Sequence, residues 1–104
     1  MNMWNIIAAE QATALTEAIF TLQTLGDGRS TLILDFLLEH DEASLLDLII
    51  ATGLDATTLE AQLDLLCQTK VLELCSNIYG SWYQIDYQRL EKVNFIARQL
   101  VRRK

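Results

Sequence analysis

Residues 53–66 read GLDATTLEAQLDLL. Gly53 suits a tight turn, because a residue without a Cβ enters left-handed backbone conformations freely. Asp55 follows as a natural N-cap, since its carboxylate can accept the free N–H groups of a first helical turn. Leu59, Leu63 and Leu66 then recur at helical spacing and form an apolar stripe. The outward residues include Glu60 and Asp64, and the stretch contains no Lys or Arg. The segment is therefore a well-capped helix with an acidic outer face.

The same charge character extends on both sides. Residues 41–79 carry Asp41, Glu42, Asp47, Asp55, Glu60, Asp64 and Glu73 against Lys70, a net of −6. Residues 87–104 carry Arg89, Lys92, Arg98, Arg102, Arg103 and Lys104 against Glu91, a net of +5. The whole chain has 104 residues and a formal charge of −6. That overall figure lacks the basic footprint usual in nucleic-acid binders and hides the asymmetry between its two segments. The length predicts one domain over 1–104, and 51% hydrophobic content supports a sizeable core.

The opening residues lack a basic region, and their apolar run is broken by Asn5, Glu10 and Gln11, which predicts no secretion signal. No apolar run approaches the roughly 20 residues of a membrane span. Cys67 and Cys75 have no CxxC spacing and read as reduced thiols, with Cys67 facing inward. A cytoplasmic protein is expected.

Proline is absent, so helices can run long. Residues 4–24 place Trp4, Ile7, Leu15, Ala18 and Ile19 at helical spacing, with a left-handed glycine cap expected in Gly26-Asp27-Gly28. Ser30-Thr31 is expected to open a second helix that ends near His40, whose ring reads as a C-terminal capping group. Ser44 caps a short third helix to Ala51, and the helix from Asp55 runs to about Thr69. Residues 71–76 and 81–86 have the β-branched and aromatic content of strands, with turn formers between them. Helical spacing returns from Tyr87 through Leu90, Val93, Ala97, Leu100 and Val101, in a narrow seam suited to helix pairing.

Helix, helix, short helix, glycine turn, longer helix, hairpin, helix is the layout of a winged helix-turn-helix: mainly α with a small β-hairpin. The helix-turn-helix is residues 44–69 and the wing 71–86, with a last helix over 87–101. TLGDGRSTLILDFLL (24–38), LLDLIIATGLDATTLEAQLDLLCQTKVLEL (45–74) and YGSWYQIDYQRLEKVN (79–94) follow in order, and the chain resembles the ArsR/SmtB-like repressors over about residues 24–100. The resemblance implies a homodimer formed by the first and last helices, operator binding by the longer helix, and often release by a metal or redox signal. Trp4, Ile7, Leu15, Leu90, Val93, Ala97 and Leu100 are the candidate dimer contacts.

The chain departs from that family's pattern. Glu60, Ala61 and Gln62 stand where the family tends to have Ser, Arg or Gln, and His, and the wing has Ser76, Asn77, Ile78 and Tyr79 in place of arginines. Carboxylates oppose the phosphate contacts that supply most DNA affinity, so the expected partner is double-stranded DNA bound weakly. Candidate contacts are Thr57, Thr58, Gln62, Lys70 and Arg29, with Gln62 able to pair with adenine. The competing reading is a protein-interaction module, in which the acidic helix meets a basic protein partner and DNA binding has been lost.

No metal site or cofactor is expected. The family's third-helix thiolates have no counterpart in residues 43–47, and Asp86 is followed by no His in the last helix. Asp41, Glu42 and Asp47 read as a solvated acidic face rather than a hard-cation site. Tyr79, Trp82, Tyr83 and Tyr87 read as wing and core packing rather than a stacking surface. GxSxG, HExxH and glycine-rich phosphate loops are all missing, so the reading is a regulator and not an enzyme.

Overall fold

The structure, a computed structural model, describes residues 16–102. A first helix, α1, covers residues 16–25 of that range. Its end does not use a left-handed glycine, because Gly53 and Gly80 are the glycines with positive φ among the described residues. The Gly26 amide bonds the Leu22 carbonyl at 3.0 Å instead. The second helix, α2, spans Gly28–His40 and starts earlier than Ser30-Thr31. The reason is Asp27, whose carboxylate accepts the Arg29 amide at 2.9 Å and so acts as the N-cap. At its other end the His40 ring stacks on Phe36 at 4.1 Å, with Nδ1 placed 3.1 Å from the Phe36 carbonyl.

Strand β1 (Glu42–Ala43) follows, an element with no signal in the sequence because two residues carry no period. Helix α3 (Leu45–Thr52) opens on a full capping box: the Asp47 amide donates to Ser44 Oγ, and the Ser44 amide donates to the Asp47 carboxylate. Such a cap stabilises a helix by roughly 1 kcal/mol. Gly53 ends α3 at φ 70°, in the left-handed conformation. Helix α4 spans Ala56–Gln68 and is capped by Asp55, which accepts the Thr58 amide at 2.8 Å.

Strands β2 (Leu72–Asn77) and β3 (Gly80–Ile85) form the wing, and β1 pairs with the far side of β3. The register sets Leu72 against Ile85, Leu74 against Tyr83 and Cys75 against Trp82. Strand alternation therefore sorts the wing residues. Leu72, Leu74, Tyr83 and Ile85 share one face; Glu73, Cys75, Trp82 and Gln84 share the other. The last helix, α5, spans Tyr87–Arg102, and the Asp86 carboxylate accepts the Arg89 amide at its start. Among the described residues, five helices and a three-stranded antiparallel sheet thus make the winged helix-turn-helix read from the sequence.

The core joins Ile33 and Leu37 of α2, Leu48 of α3, Leu59, Leu63 and Leu66 of α4, and Ala43, Leu72 and Ile85 of the sheet. All three α4 leucines are fully buried, as their spacing required. The opposite face of α4 is left to solvent.

Candidate nucleic-acid interface

The solvent face of α4 carries Thr57, Glu60, Ala61, Asp64 and Gln68, all exposed. Thr57, Ala61, Asp64 and Gln68 lie along its outermost line at helical spacing, and Glu60 flanks that line. Glu60 and Asp64 have no ion-pair partner among the described residues. Both carboxylates, with the Cys67 thiol, act on Tyr83 of β3. Its hydroxyl is pushed above the ordinary tyrosine range, first by burial and then by these groups. Tyr83 of the wing therefore lies within electrostatic reach of the acidic side of α4.

Gln62 is not part of that face. It is only 2% exposed, and its Nε2 donates to Ser30 Oγ of α2 at 2.7 Å. The expectation that it faces a groove is corrected by packing: Gln62 sits on the same i, i+3, i+4, i+7 stripe as Leu59, Leu63 and Leu66. That spacing was the available signal, and Ser30 was the missed partner. Thr58 is also committed, since its hydroxyl donates to Asp55 Oδ2 at 2.9 Å and its amide to Oδ1. Of the three uncharged α4 candidates, Thr57 remains free to meet a ligand.

The candidate cations are held differently from one another. Arg29 is exposed at the start of α2 and grips Asp27 in a two-point pair, Nε to Oδ1 at 3.0 Å and Nη2 to Oδ2 at 2.8 Å. The guanidinium and the Arg29 amide together hold the Asp27 carboxyl down to about 2. Ser30, the next residue, is the one bonded to α4, so this pair stands beside the helix-turn-helix. Lys70 lies exposed in the turn after α4 with φ 66°, a conformation unusual for a residue with a Cβ. Arg89 Nε donates to the Thr69 carbonyl at 3.1 Å, which satisfies a carbonyl at the α4 C-terminus and places a cation there. The Asp86 amide bonds the Val71 carbonyl at 2.8 Å nearby, so α5 is tied to the end of α4.

The wing tip is apolar where the resemblance implies arginines. Ile78 and Tyr79 are 91% and 90% exposed, in a turn held by the Asn77 side chain accepting the Tyr79 amide at 2.8 Å. On the outer wing face Trp82 Nε1 donates to Gln84, and Gln84 donates to Glu73.

The expected dimer contacts divide. Trp4, Ile7 and Leu15 lie outside the described residues, as does the Leu100 side chain. Val93 is buried within the single chain, and Leu90 is half-buried and packs against the core. Ala97 is half-buried. The outward apolar groups are Phe95 of α5, 63% exposed, and Ile19 and Phe20 of α1.

Cys67 and Cys75 are free thiols, each half-buried. Burial, then the Asp64 charge, raises the Cys67 thiol above its ordinary value. Among the described residues no group of three or more His, Cys, Asp or Glu side chains could hold a metal, and no helix is long and apolar enough to cross a membrane.

No protein-family model matches the chain, and no curated protein matches it in sequence. Solved structures do. The homodimeric winged helix-turn-helix DNA-binding domain Mb0332 of Mycobacterium bovis, a possible ArsR-family transcriptional regulator, is 25% identical with a TM-score of 0.71. The match covers 88% of this chain and 82% of that one. The transcriptional repressor BigR of Xylella fastidiosa matches at 23% identity and a TM-score of 0.61, over 92% of this chain and 93% of that one. NolR of Sinorhizobium fredii matches at 18% and 0.67, over 86% and 89%. In fold, this chain is a winged helix-turn-helix protein, similar to solved transcriptional regulators that include a possible ArsR-family member.

Proposed function

We propose that the chain is a homodimeric, DNA-binding transcriptional regulator of the cytoplasm, acting by binding and not by catalysis. The observation that carries this reading is the exposed face of α4. That helix is capped at Asp55 and docked by Leu59, Leu63 and Leu66, and its free side stands next to a wing. This is the arrangement that sets a helix into a major groove. The likeness to a homodimeric DNA-binding domain supports it.

Affinity for DNA is low in this reading. Glu60 and Asp64 face the duplex, Arg29 is neutralised by Asp27, and the wing tip carries no cation. Binding is expected at about micromolar or weaker at physiological salt, the range of non-specific contacts. The pairing surface between copies is expected on α1 and α5, where Phe20 and Phe95 are exposed.

Two measurements test the reading. Sedimentation at tens of micromolar, by order of magnitude, should show a dimer, and a clean monomer counts against it. Fluorescence anisotropy on labelled duplex should show salt-dependent binding that strengthens in a Glu60→Lys/Asp64→Lys variant. Absence of binding by both forms removes the DNA-binding role.

A further inference from the structure

We propose that Glu60 and Asp64 are specificity residues that read cytosine in the major groove; the inference rests on the DNA-binding role proposed above. Three observations lead to it. First, among residues 56–68 the exposed side chains with polar atoms are Thr57, Glu60, Asp64 and Gln68. Of the two glutamines of α4 able to pair with adenine, Gln62 is buried on Ser30 and Gln68 stands at the last position of the helix, while Thr58 is spent on the Asp55 cap. Second, no cation neutralises either carboxylate among the described residues, so both reach a docked duplex as charged acceptors. Third, the two residues are one turn apart on the solvent side of one helix.

The chemistry of the groove then selects the base. An ionised carboxylate only accepts hydrogen bonds. Guanine shows two acceptors in the major groove, N7 and O6, and thymine shows the O4 acceptor and a methyl group. Both repel a carboxylate. Adenine offers the N6 amine, but its N7 acceptor lies beside it. Cytosine offers the N4 amine with no neighbouring acceptor on its own major-groove edge, so it is the base that a carboxylate tolerates and bonds. Glu60 and Asp64 are separated by four residues, a rise of about 6 Å. Stacked base pairs are about 3.4 Å apart, so the two contacts fall roughly two base pairs apart. Ala61 and Thr57 lie on the same face and offer methyl groups to thymine at flanking positions.

The consequence is a trade of affinity for discrimination. The carboxylates weaken binding to every sequence through the phosphates. They weaken it least where a cytosine amine receives them.

Binding-site selection from a randomised duplex library tests this, using the full chain at low salt, with wild type, Glu60→Gln and Asp64→Asn. Both changes are on the exposed face, and circular dichroism checks that the fold persists. Wild type should enrich cytosine at two positions about two base pairs apart, by roughly tenfold over other bases at each. Glu60→Gln should move one of those positions toward adenine, which a glutamine side chain can bond at N6 and N7, and Asp64→Asn should move the other. Replacing a selected cytosine by 2-pyrimidinone, which lacks the amine, should abolish the preference of wild type. Binding without cytosine enrichment, or enrichment unchanged by both substitutions, overturns the inference and leaves the DNA-binding role standing. No binding by wild type or by Glu60→Lys/Asp64→Lys overturns the role itself, and the inference falls with it.

Discussion

Gln62 Nε2 donates to Ser30 Oγ at 2.7 Å, in a contact that is fully buried and joins residues 32 apart in the chain. It fastens the first turn of α2 to the middle of α4. A buried side-chain pair of this kind is costly to half-break, because the remaining partner loses both water and its bond. Gln62→Ala is therefore expected to destabilise the protein by about 2 kcal/mol, while Thr57→Ala on the exposed face changes stability little. Gln62→Leu combined with Ser30→Ala removes both polar partners and should come out closer to wild type than Gln62→Ala alone. Urea unfolding at constant m-value reads these differences. A Gln62→Ala midpoint equal to that of wild type would show the bond to be unimportant.

The Arg29–Asp27 pair suggests a way to strengthen DNA binding without touching α4. Asparagine keeps the capping oxygen but not the charge, so Asp27→Asn should preserve α2 and release the guanidinium. If Arg29 then meets a phosphate, the slope of log affinity against log salt should steepen by up to about one. Anisotropy across a salt series measures it. An unchanged slope and affinity would place Arg29 away from the duplex.

Acid should act on the two helix caps. The Asp27 carboxyl is lowered from 3.8 to about 2 by the Arg29 side chain and then its amide, and Asp55 is lowered by the Thr58 amide and hydroxyl. Both are lowered in the folded state, so their stabilisation is present above the unfolded value and lost as pH falls through the folded value. Wild type should lose stability between about pH 4 and about pH 2, and Asp27→Asn/Asp55→Asn should lose less in that window. Equal losses in the two proteins would show that other carboxylates dominate.

The thiols should not close on each other. Cys75 shares the outer wing face with Trp82 and Glu73, whereas Cys67 belongs to α4, which packs against the face carrying Leu72 and Ile85. The sheet stands between them, and a disulfide needs Cα atoms within about 7 Å and converging Cβ vectors. Mild oxidation followed by mass spectrometry should find no bridge within a chain. Cys67, its thiol raised by burial and by Asp64, should react with thiol reagents more slowly than an unfolded control. A bridge between Cys67 and Cys75, or Cys67 reacting as fast as in the unfolded chain, would contradict this geometry.

The sequence by itself determined whatever depends on neighbours within a turn or two. The Ser44 cap, the Gly53 turn, the Asp55 cap and the leucine stripe of α4 are local devices, and each is found where its residues placed it. The acidic character of the α4 outer face was legible for the same reason, since burying Leu59, Leu63 and Leu66 leaves Glu60 and Asp64 outside. Tertiary structure decided the fates of side chains whose partners are distant or ambiguous. A glutamine between core and surface faces inward only if a hydrogen-bonding group waits there, and Ser30 does so only because α2 docks on α4. Two residues become the strand β1 only because β3 offers its edge. Arg89 becomes a cap for α4 only because α5 starts where β3 returns the chain to Val71. Each of these depends on bringing together groups far apart in the chain, and spacing alone does not encode that.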